Sequence, residues 1–227
     1  QQHIGAPAEV LVAAGDMVKK GQIIARNQGS VSASHHAPTS GRIREIAEVA
    51  APHPSGLPQT TIILEPDGKD EWGDLPEPIS DPFNSDAHTI NERVAQSGIV
   101  GMGGAAFPSA IKLNLGEQKK LEVLLLNGAE CEPYLTCDDR VMREYAGEII
   151  DGACIMAHAL GVSRVVVGIE ENKPQAIEIM TRAASAFASV EVVAVPVQYP
   201  MGSERHLVQA ITGLETPVRK LTADLGI

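Results

Sequence analysis

The chain has 227 residues, a formal net charge of −11 and few aromatic side chains, so its core must be built from aliphatic residues. This length allows one large domain or two modest ones. The acidic balance argues against nucleic acid as a partner, since nucleic-acid-binding proteins present a basic face. No apolar run approaches the roughly 18 residues that a membrane-spanning helix needs.

The three cysteines form no C-x-x-C pair, so we expect neither a disulfide framework nor a metal site within this sequence. The sequence begins without an initiator methionine and stops in what reads as the middle of a fold. We therefore expect a fragment of a longer protein.

Residues 1–70 read as a small all-β domain. Short runs rich in valine and isoleucine alternate with turn residues such as Gly15-Asp16 and Ser40-Gly41. The predicted strands are Val10–Val12, Gln22–Ala25, Arg42–Ile46 and Thr60–Leu64. Short strands separated by frequent turn signals favour a sandwich or a barrel.

Residues 71–87 belong to a stretch that is rich in proline and acidic residues and shows little periodicity. We interpret them as a linker. The single tryptophan, Trp72, lies in this linker, and we expect it to pin the linker to a neighbouring surface.

From residue 88 onward the pattern changes to helices that alternate with strands. Thr89 and Glu92 form a capping-box pattern at the start of a helix that Gly98 ends. The further helices are predicted over Val141–Leu160, Pro174–Phe187 and Ser203–Thr212, and the strands over Leu121–Leu126, Val165–Ile169 and Val190–Val197. Such alternation predicts an α/β layer with a largely parallel sheet.

A glycine-rich loop, Gly98–Pro108, follows the first of these helices and leads to Lys112. Its glycines allow the backbone to approach a ligand closely, and its N–H groups could hold a phosphate beside the Lys112 ammonium. The loop follows a helix rather than a strand, so it differs from the usual dinucleotide-binding fingerprint. A flexible packing turn is the alternative interpretation.

Polar segments follow two of the predicted strands, at the edge of an α/β sheet where ligands usually bind. Asn127 offers a donor and an acceptor that suit a ring with carbonyl and N–H edges. Glu130 and Glu132 could accept hydrogen bonds from ribose or ribityl hydroxyls, and an ordinary solvated acidic turn is the alternative. The segments Gly168–Pro174 and Tyr199–Glu204 are more simply explained as helix starts.

Taken together, four ordered motifs resemble the RnfC (RsxC) family, the NADH-oxidising subunits of the Rnf ion-translocating electron transport complex. The motifs are GIVGMGGAAFPSAIK, LLLNGAECEPYLTCDDR, VVVGIEENKPQAI and YPMGSERHLVQAITGLETP. The N-terminal stretches HIGAPAEVLVAAGDMVKKGQIIA and VSASHHAPTSGRI fit the same family. The resemblance covers nearly the whole chain, and the central part is also similar to the flavin subunit of respiratory complex I.

This resemblance implies a barrel-sandwich hybrid over residues 1–70, as in lipoyl and biotinyl carriers, and a Rossmann-like α/β domain that binds FMN and NADH over residues 88–227. The residues that it assigns to the cofactors are Gly101, Gly103, Gly104, Phe107, Lys112, Asn127, Glu130, Glu132, Gly168, Glu170 and Glu171. The first five would line the FMN phosphate and the NADH side, with the phenyl ring near the NADH ring. The next three would contact flavin or nicotinamide nucleotide, and the last three would close the flavin pocket.

The function implied by the resemblance is electron transfer. NADH would pass hydride to FMN, and single electrons would continue to two 4Fe–4S clusters in the full-length protein, beyond this fragment. No side chain needs to act as an acid or a base, because the flavin performs the chemistry. The expected partners are NADH and the other Rnf subunits, through which the protein would sit peripherally on the cytoplasmic side of the bacterial inner membrane.

Two departures from the family pattern bear on the site. Met102 stands where complex I has an arginine, and Ala106 stands where a glycine is usual in both groups, so its methyl group would crowd the cofactor. The family continues with an Asn-Val-Gly-Thr turn and cysteine-rich cluster motifs that this sequence does not include. We therefore expect the fragment to bind FMN weakly or not at all.

No lysine lies between Lys20 and Lys69, so carrier-type attachment is not expected, and a docking role within the complex is favoured for residues 1–70. The alternative for the whole chain is a non-catalytic docking or assembly module, like the protein of the same architecture in the sodium-pumping quinone reductase. A relative of the cobalamin-reductase type is disfavoured, because that group places its β domain after the flavin domain.

Overall fold

The computed structural model describes residues 1–52, 55–102, 106–117 and 119–227. The chain forms two compact units, one made of residues 1–81 and 88–112 and the other of residues 82–87 and 113–227. Residues 88–112, which the sequence pattern places in the second domain, are thus grouped with the first unit. The predicted domain boundaries themselves stay a prediction.

The first unit contains two antiparallel three-stranded sheets, as the all-β prediction for residues 1–70 requires. Its strands are β1 (Glu9–Val10), β2 (Met17–Val18), β3 (Ile23–Arg26), β4 (His35–His36), β5 (Gly41–Ala50) and β6 (Pro58–Pro66). One sheet has the order β1-β3-β4 and the other the order β2-β5-β6. Val18, Ile24, Ala37 and Ile43 are buried together and hold the strands in place. The two-residue strands β2 and β4 were not predicted, because so short a run has no readable periodicity.

The linker is attached to this unit through Trp72, as the sequence predicts. Lys20 forms a parallel bridge with Trp72, and its ammonium nitrogen lies 4.7 Å from the centre of the indole ring. The same ammonium group forms an ion pair with Asp70 at 2.7 Å. The contact is a cation–π interaction, so charge as well as apolar area holds the linker.

The first helix, α1, spans Ala87–Gln96 and ends before Gly98, as predicted. Its start differs from the prediction, because Thr89 lies inside the helix and so is not the residue that caps it. Asp86, a residue type favoured at helix caps, stands immediately before α1. Gly98 has a φ of 65°, and a Cβ there would come 2.3 Å from the Ser34 carbonyl oxygen, so only glycine fits this position.

The second unit is built on a three-stranded parallel sheet, as predicted. Its strands are β7 (Val123–Gly128), β8 (Arg164–Glu170) and β9 (Val190–Val195), in the order β7-β8-β9. Its helices are α3 (Cys137–Glu144), α4 (Ala146–Leu160), α5 (Pro174–Ala184) and α6 (Glu204–Thr212). The short helix α2 (Ser109–Leu113) and three 3-10 turns, at Pro82–Asn84, Asn114–Glu117 and Thr222–Leu225, complete the described elements.

Helices cover both faces of this sheet. Val167 and Ile169 of β8 pack with residues of α3, α4 and α5, including Met142 and Met180. On the other face, Leu207 of α6 packs with a separate cluster that includes Val195. Alternate residues of a strand point to opposite faces, so the apolar run of β8 is that of a strand buried on both sides.

One predicted helix is two helices in the structure. The apolar spacing predicts a continuous helix over Val141–Leu160, but Tyr145, with φ −127° and ψ 32°, separates α3 from α4. The hydrogen bonds from Tyr145 N to Val141 O and from Ile149 N to Tyr145 O persist across the break. The buried face also differs from the predicted one, because Val141 and Tyr145 are exposed and Met142, Ala146 and Ile150 are buried instead.

Within the described ranges, no helix combines the length and the apolar character that crossing a bilayer requires.

Candidate functional site

Asn127 lies at the carboxyl end of β7 and is exposed. Its side-chain N–H donates to the Gly202 carbonyl oxygen at 2.7 Å, and its amide oxygen accepts from the Ala129 N–H at 3.1 Å. These two bonds fix the orientation of the amide. Among the described residues, one N–H and one oxygen lone pair remain for a ligand, because an asparagine side chain offers two of each.

The turn at Gly202 packs tightly on the loop that follows β7. A Cβ on Gly202 would lie 2.4 Å from the Ala129 carbonyl oxygen and 3.0 Å from the Cys131 sulfur. Only a residue without a side chain allows this approach of two backbones. Gly202 and Ala129 were not predicted as site residues, and the glycine in the Tyr199–Glu204 segment was the available signal.

Glu130 has a side chain only 1 % exposed, and protein donors surround both of its oxygens. Oε1 accepts from the Asp138 N–H at 3.0 Å and from the Cys137 thiol at 3.4 Å. Oε2 accepts from the Asp139 N–H at 3.4 Å and from the Lys173 ammonium group at 3.3 Å. The carboxylate thus satisfies the first N–H groups of α3, whose N-cap residue makes no side-chain capping bond.

Glu130 and Glu170 are both buried, but their pKa values are shifted in opposite directions. Burial alone raises the pKa of Glu130, but the hydrogen bonds from Asp138, Cys137, Lys173 and Asp139 outweigh it, so its pKa lies below the usual value. Glu170, the last residue of β8, is 2 % exposed. Its burial raises its pKa, the nearby Lys173 opposes that rise, and the charges of Glu130 and Glu132 add to it.

Asp138 also belongs to this group of carboxylates. Burial, followed by the charges of Glu130 and Glu132, raises the Asp138 pKa, and Lys173 opposes the rise. Glu132 itself is exposed, and Glu171 is an exposed residue whose backbone N–H donates to the Val195 carbonyl oxygen. The structure therefore gathers Glu130 and Glu170 of the predicted set around Lys173, which sequence reasoning did not single out, and the charge of Glu132 acts on Glu170.

Gly168 lies inside β8, and the structure gives a packing reason for this glycine. A Cβ there would come 2.7 Å from Ile211 Cδ1 and 2.9 Å from Leu207 Cδ1. The close approach of α6 to the sheet favours a small residue at this position. Its predicted part in closing a flavin pocket stays a prediction.

The glycine-rich loop belongs to the first unit, and its ends are paired. The Gly101 N–H donates to the Phe107 carbonyl oxygen at 2.8 Å, and Val100 forms an antiparallel bridge with Pro108. Lys112 is exposed on α2. Gly103 and Gly104, two of the predicted phosphate contacts, lie outside the described residues.

Ala106 in this loop has a φ of 47°, in the left-handed region that favours glycine. It is the position at which the family resemblance leads one to expect a glycine. The alanine is thus held in a conformation that costs free energy, and its methyl group projects from a loop predicted to approach the cofactor.

Glu130, Cys137 and Asp138 bring possible ligand atoms within 4.8 Å of one another. The Cys137 thiol is a donor to Glu130, and this hydrogen bond, with burial and the charge of Asp138, raises the Cys137 pKa. In this structure hydrogen bonds from the Cys137 thiol and the Asp138 N–H to Glu130 link the three residues.

A cleft of about 160 Å³ opens beside Asn127. It is lined by Leu126, Asn127, Gly128, Asp138, Val141, Met142, Ile149, Val167 and Met180. Small-molecule pockets commonly have volumes of roughly 300 Å³ or more. At this volume the cleft is too small to enclose a whole FMN.

Comparison with known proteins agrees with this architecture. The family model of the Nuo51 FMN-binding domain matches residues 94–227, and that of the RnfC barrel sandwich hybrid domain matches residues 1–69. The predicted fold class, a barrel-sandwich hybrid followed by a Rossmann-like α/β domain, is confirmed.

Curated relatives match over the whole chain. The RnfC protein of the ion-translocating oxidoreductase complex of Rhodobacter capsulatus is 59 % identical over 228 residues, which cover 100 % of this chain and 44 % of the relative. The protein of the same description from Pseudomonas aeruginosa is 45 % identical and is covered to 29 %. The chain thus spans less than half the length of these relatives.

A solved structure shares part of the fold. The NAD+-reducing NiFe hydrogenase in the H2-reduced state aligns with a TM-score of 0.50 and 26 % identity, over 58 % of this chain and 25 % of that chain. The chain therefore belongs to the family of the Nuo51 FMN-binding domain, and the resemblance to RnfC is confirmed.

Proposed function

We propose that the chain is the N-terminal part of the NADH-oxidising subunit of a membrane-bound, ion-translocating oxidoreductase. This subunit would pass electrons from NADH through FMN to 4Fe–4S clusters outside residues 1–227. The observation that carries the proposal is Asn127, which stands exposed at the strand end of a Nuo51-type domain with one donor and one acceptor unused. The ion-translocating oxidoreductase subunits to which the chain is similar, and the NAD+-reducing hydrogenase that shares part of the fold, support it.

When bound, FMN would supply the hydride-accepting and one-electron chemistry. The part of this chain is to bind and orient. Asn127 would fix the ring through its free N–H and oxygen, and the exposed carboxylate of Glu132 would accept from sugar hydroxyls. Glu130 would position the loop rather than contact the cofactor, because its oxygens already accept hydrogen bonds from α3 and Lys173.

The glycine-rich loop is assigned the phosphate and nicotinamide side. Gly101, Gly103 and Gly104 would offer backbone N–H groups, Lys112 would add a cation, and Phe107 would lie near the NADH ring. Gly168, Glu170 and Glu171, at and after the end of β8, would close the flavin side. Of these, Glu170 is buried and has a raised pKa, so it would add less negative charge than an exposed glutamate.

The proposed partners are NADH and the other subunits of the complex. The relatives carry the name of a complex subunit, which implies such partners for this chain too. We place the protein on the cytoplasmic side of the bacterial inner membrane, where it would be held peripherally by those subunits.

The test is NADH:ferricyanide reductase activity and flavin absorbance of the full-length protein. We expect Asn127→Ala, Glu132→Ala and Lys112→Ala each to lower the activity, because each removes a group assigned to FMN or NADH. Glu178→Gln is the matched control, since Glu178 is an exposed residue on α5 outside the assigned set.

Wild-type protein that is folded but takes up no flavin and oxidises no NADH would refute the proposal. That result would favour the non-catalytic docking module of the kind found in the sodium-pumping quinone reductase. Stoichiometric FMN on residues 1–227 alone would leave the function in place and would contradict the expectation that this part binds FMN weakly or not at all.

A further inference from the structure

Lys173 is placed by a tight turn between β8 and α5. Its backbone N–H donates to the Glu170 carbonyl oxygen at 3.0 Å, and Pro174 follows it as the first residue of α5. The lysine side chain is only 13 % exposed. A lysine ammonium group is rarely buried without a partner, so its position indicates a specific contact.

That contact is Glu130, on the loop that follows the neighbouring strand. The ammonium nitrogen lies 3.3 Å from Glu130 Oε2. The other donors to this carboxylate all belong to the first turn of α3, namely the Cys137 thiol and the N–H groups of Asp138 and Asp139. Glu130 therefore links three segments through hydrogen bonds: the end of β7, the start of α3 and the turn after β8.

Lys173 also faces an excess of negative charge. The acidic groups that interact with it are Glu130, Asp138 and Glu170, and Glu132 acts on the latter two. The nearby carboxylate of Asp139 has its own cation, Arg143, at 3.0 Å. Lys173 is thus the cation that opposes the mutual repulsion of these four carboxylates in the described part of the site.

We propose that Lys173 is a positioning residue of the candidate site: through Glu130 it holds loop 129–136, which carries Glu132, against the amino end of α3. The inference rests on the proposed function, because the loop matters to catalysis only if it contacts a nucleotide. Lys173 would not contact the cofactors itself. Its charge would hold in place the loop that contacts them.

The removal of Lys173 has a consequence that depends on pH. Its hydrogen bond lowers the pKa of Glu130, and its charge lowers those of Asp138 and Glu170, so all three pKa values rise when it is lost. Above these pKa values the carboxylates would be ionised and unopposed. Below them the carboxylates take up protons, the repulsion weakens, and the loop returns toward its native position.

The first test needs no cofactor. Amide hydrogen exchange of the full-length protein follows the Asp138 and Asp139 N–H groups, which Glu130 holds. In Lys173→Met we expect these amides to exchange about tenfold faster at pH 8, and in Lys173→Arg at close to the wild-type rate, because the charge is kept. Lys120→Met, at an exposed position of the same unit, is the control for the loss of one positive charge. Wild-type exchange in Lys173→Met would overturn the inference.

The second test is FMN binding to the same proteins, measured by quenching of flavin fluorescence. We expect Lys173→Met to weaken binding about tenfold, with rescue in Lys173→Arg, which keeps the charge. A defect of equal size in Lys173→Met and Lys173→Arg would mean that only packing was lost and would overturn the positioning role. If Lys173→Met does not fold, Lys173→Gln removes the charge with less change in shape and is read in the same way. If the wild type takes up no FMN, the proposed function fails, and the exchange experiment still decides the role of Lys173.

Discussion

At the scale of single residues, two buried glutamates show that neighbouring groups decide the direction in which the pKa of a buried carboxylate is shifted. Glu130 accepts four hydrogen bonds and has a lowered pKa, whereas burial dominates at Glu170 and raises its pKa. Burial of a carboxylate is unfavourable unless hydrogen bonds or opposite charge compensate for it. Glu130 therefore stabilises the fold in its charged form, and Glu170 does not.

The raised pKa of Glu170 predicts that Glu170→Gln stabilises the protein at neutral pH. The folded protein holds the Glu170 proton more tightly than the unfolded chain does. When the pH rises above the pKa that Glu170 has in the unfolded chain, the unfolded state is favoured and the wild type loses stability. Glutamine has no such proton. Thermal unfolding between pH 3 and pH 8 should show a higher melting temperature for the variant at pH 8 and a shrinking difference toward pH 3. A difference that grows toward low pH would contradict this explanation.

Ala106 provides a prediction about backbone strain. Its φ of 47° costs an alanine free energy that glycine avoids, although glycine gains entropy in the unfolded chain. We expect Ala106→Gly to raise the free energy of unfolding by up to about 1 kcal/mol. Urea unfolding measures it, and Ala110→Gly, within helix α2, should have the opposite sign. Destabilisation by both substitutions would count against strain at position 106.

At the scale of elements, two glycines allow close packing between segments of the second unit. The 199–203 turn meets the loop after β7 at Gly202, and α6 meets β8 at Gly168. The two glycines differ in what surrounds them. The nearest atom to Gly202 is a backbone carbonyl oxygen, whereas the atoms nearest Gly168 are the ends of flexible side chains.

This difference predicts that Gly202→Ala is the more harmful of two otherwise similar substitutions. A Cβ at position 202 would lie 2.4 Å from a backbone oxygen that cannot move alone, so we expect a loss of about 3 kcal/mol. At position 168 leucine and isoleucine side chains can shift, and we expect about 1 kcal/mol. Denaturant unfolding of both variants measures the two losses. Equal losses of unfolding free energy in the two variants would contradict the prediction, because they would mean that the backbone of the 199–203 turn shifts as easily as the side chains around Gly168.

At the scale of the whole molecule, the chain combines a barrel sandwich hybrid domain with an FMN-binding type of domain. The first of these has no lysine between Lys20 and Lys69 for a covalent group. The docking role for residues 1–70 stays a prediction.

The docking role predicts the effect of removing residues 1–70 from the full-length protein. We expect the shortened protein to be lost from the membrane complex, because the proposed contact with partner subunits is gone. Copurification with a tagged partner protein measures this, and the single substitution Lys69→Ala serves as a control that leaves the domain in place. Intact assembly of the shortened protein would end the docking hypothesis.

Much of the site could be anticipated from the sequence. The placement of Asn127, Glu130 and Glu132 after an apolar strand predicted their position at the sheet edge, because strand ends in a parallel sheet meet on one side. The sequence did not reveal Lys173 as the partner of Glu130. These residues are 43 positions apart in the chain, and no periodicity or spacing links them.

The sequence by itself determined the all-β first part, the parallel sheet, most helix ends and the family, because these follow from local patterns of apolar residues, glycines and short motifs. Tertiary structure alone decided that Tyr145 divides a helix, that Glu130 rather than a local residue caps α3, and that Gly202 and Gly168 serve packing. The physical reason is that each of these depends on atoms brought together by folding, and hydrogen bonds and close contacts form in space rather than along the chain.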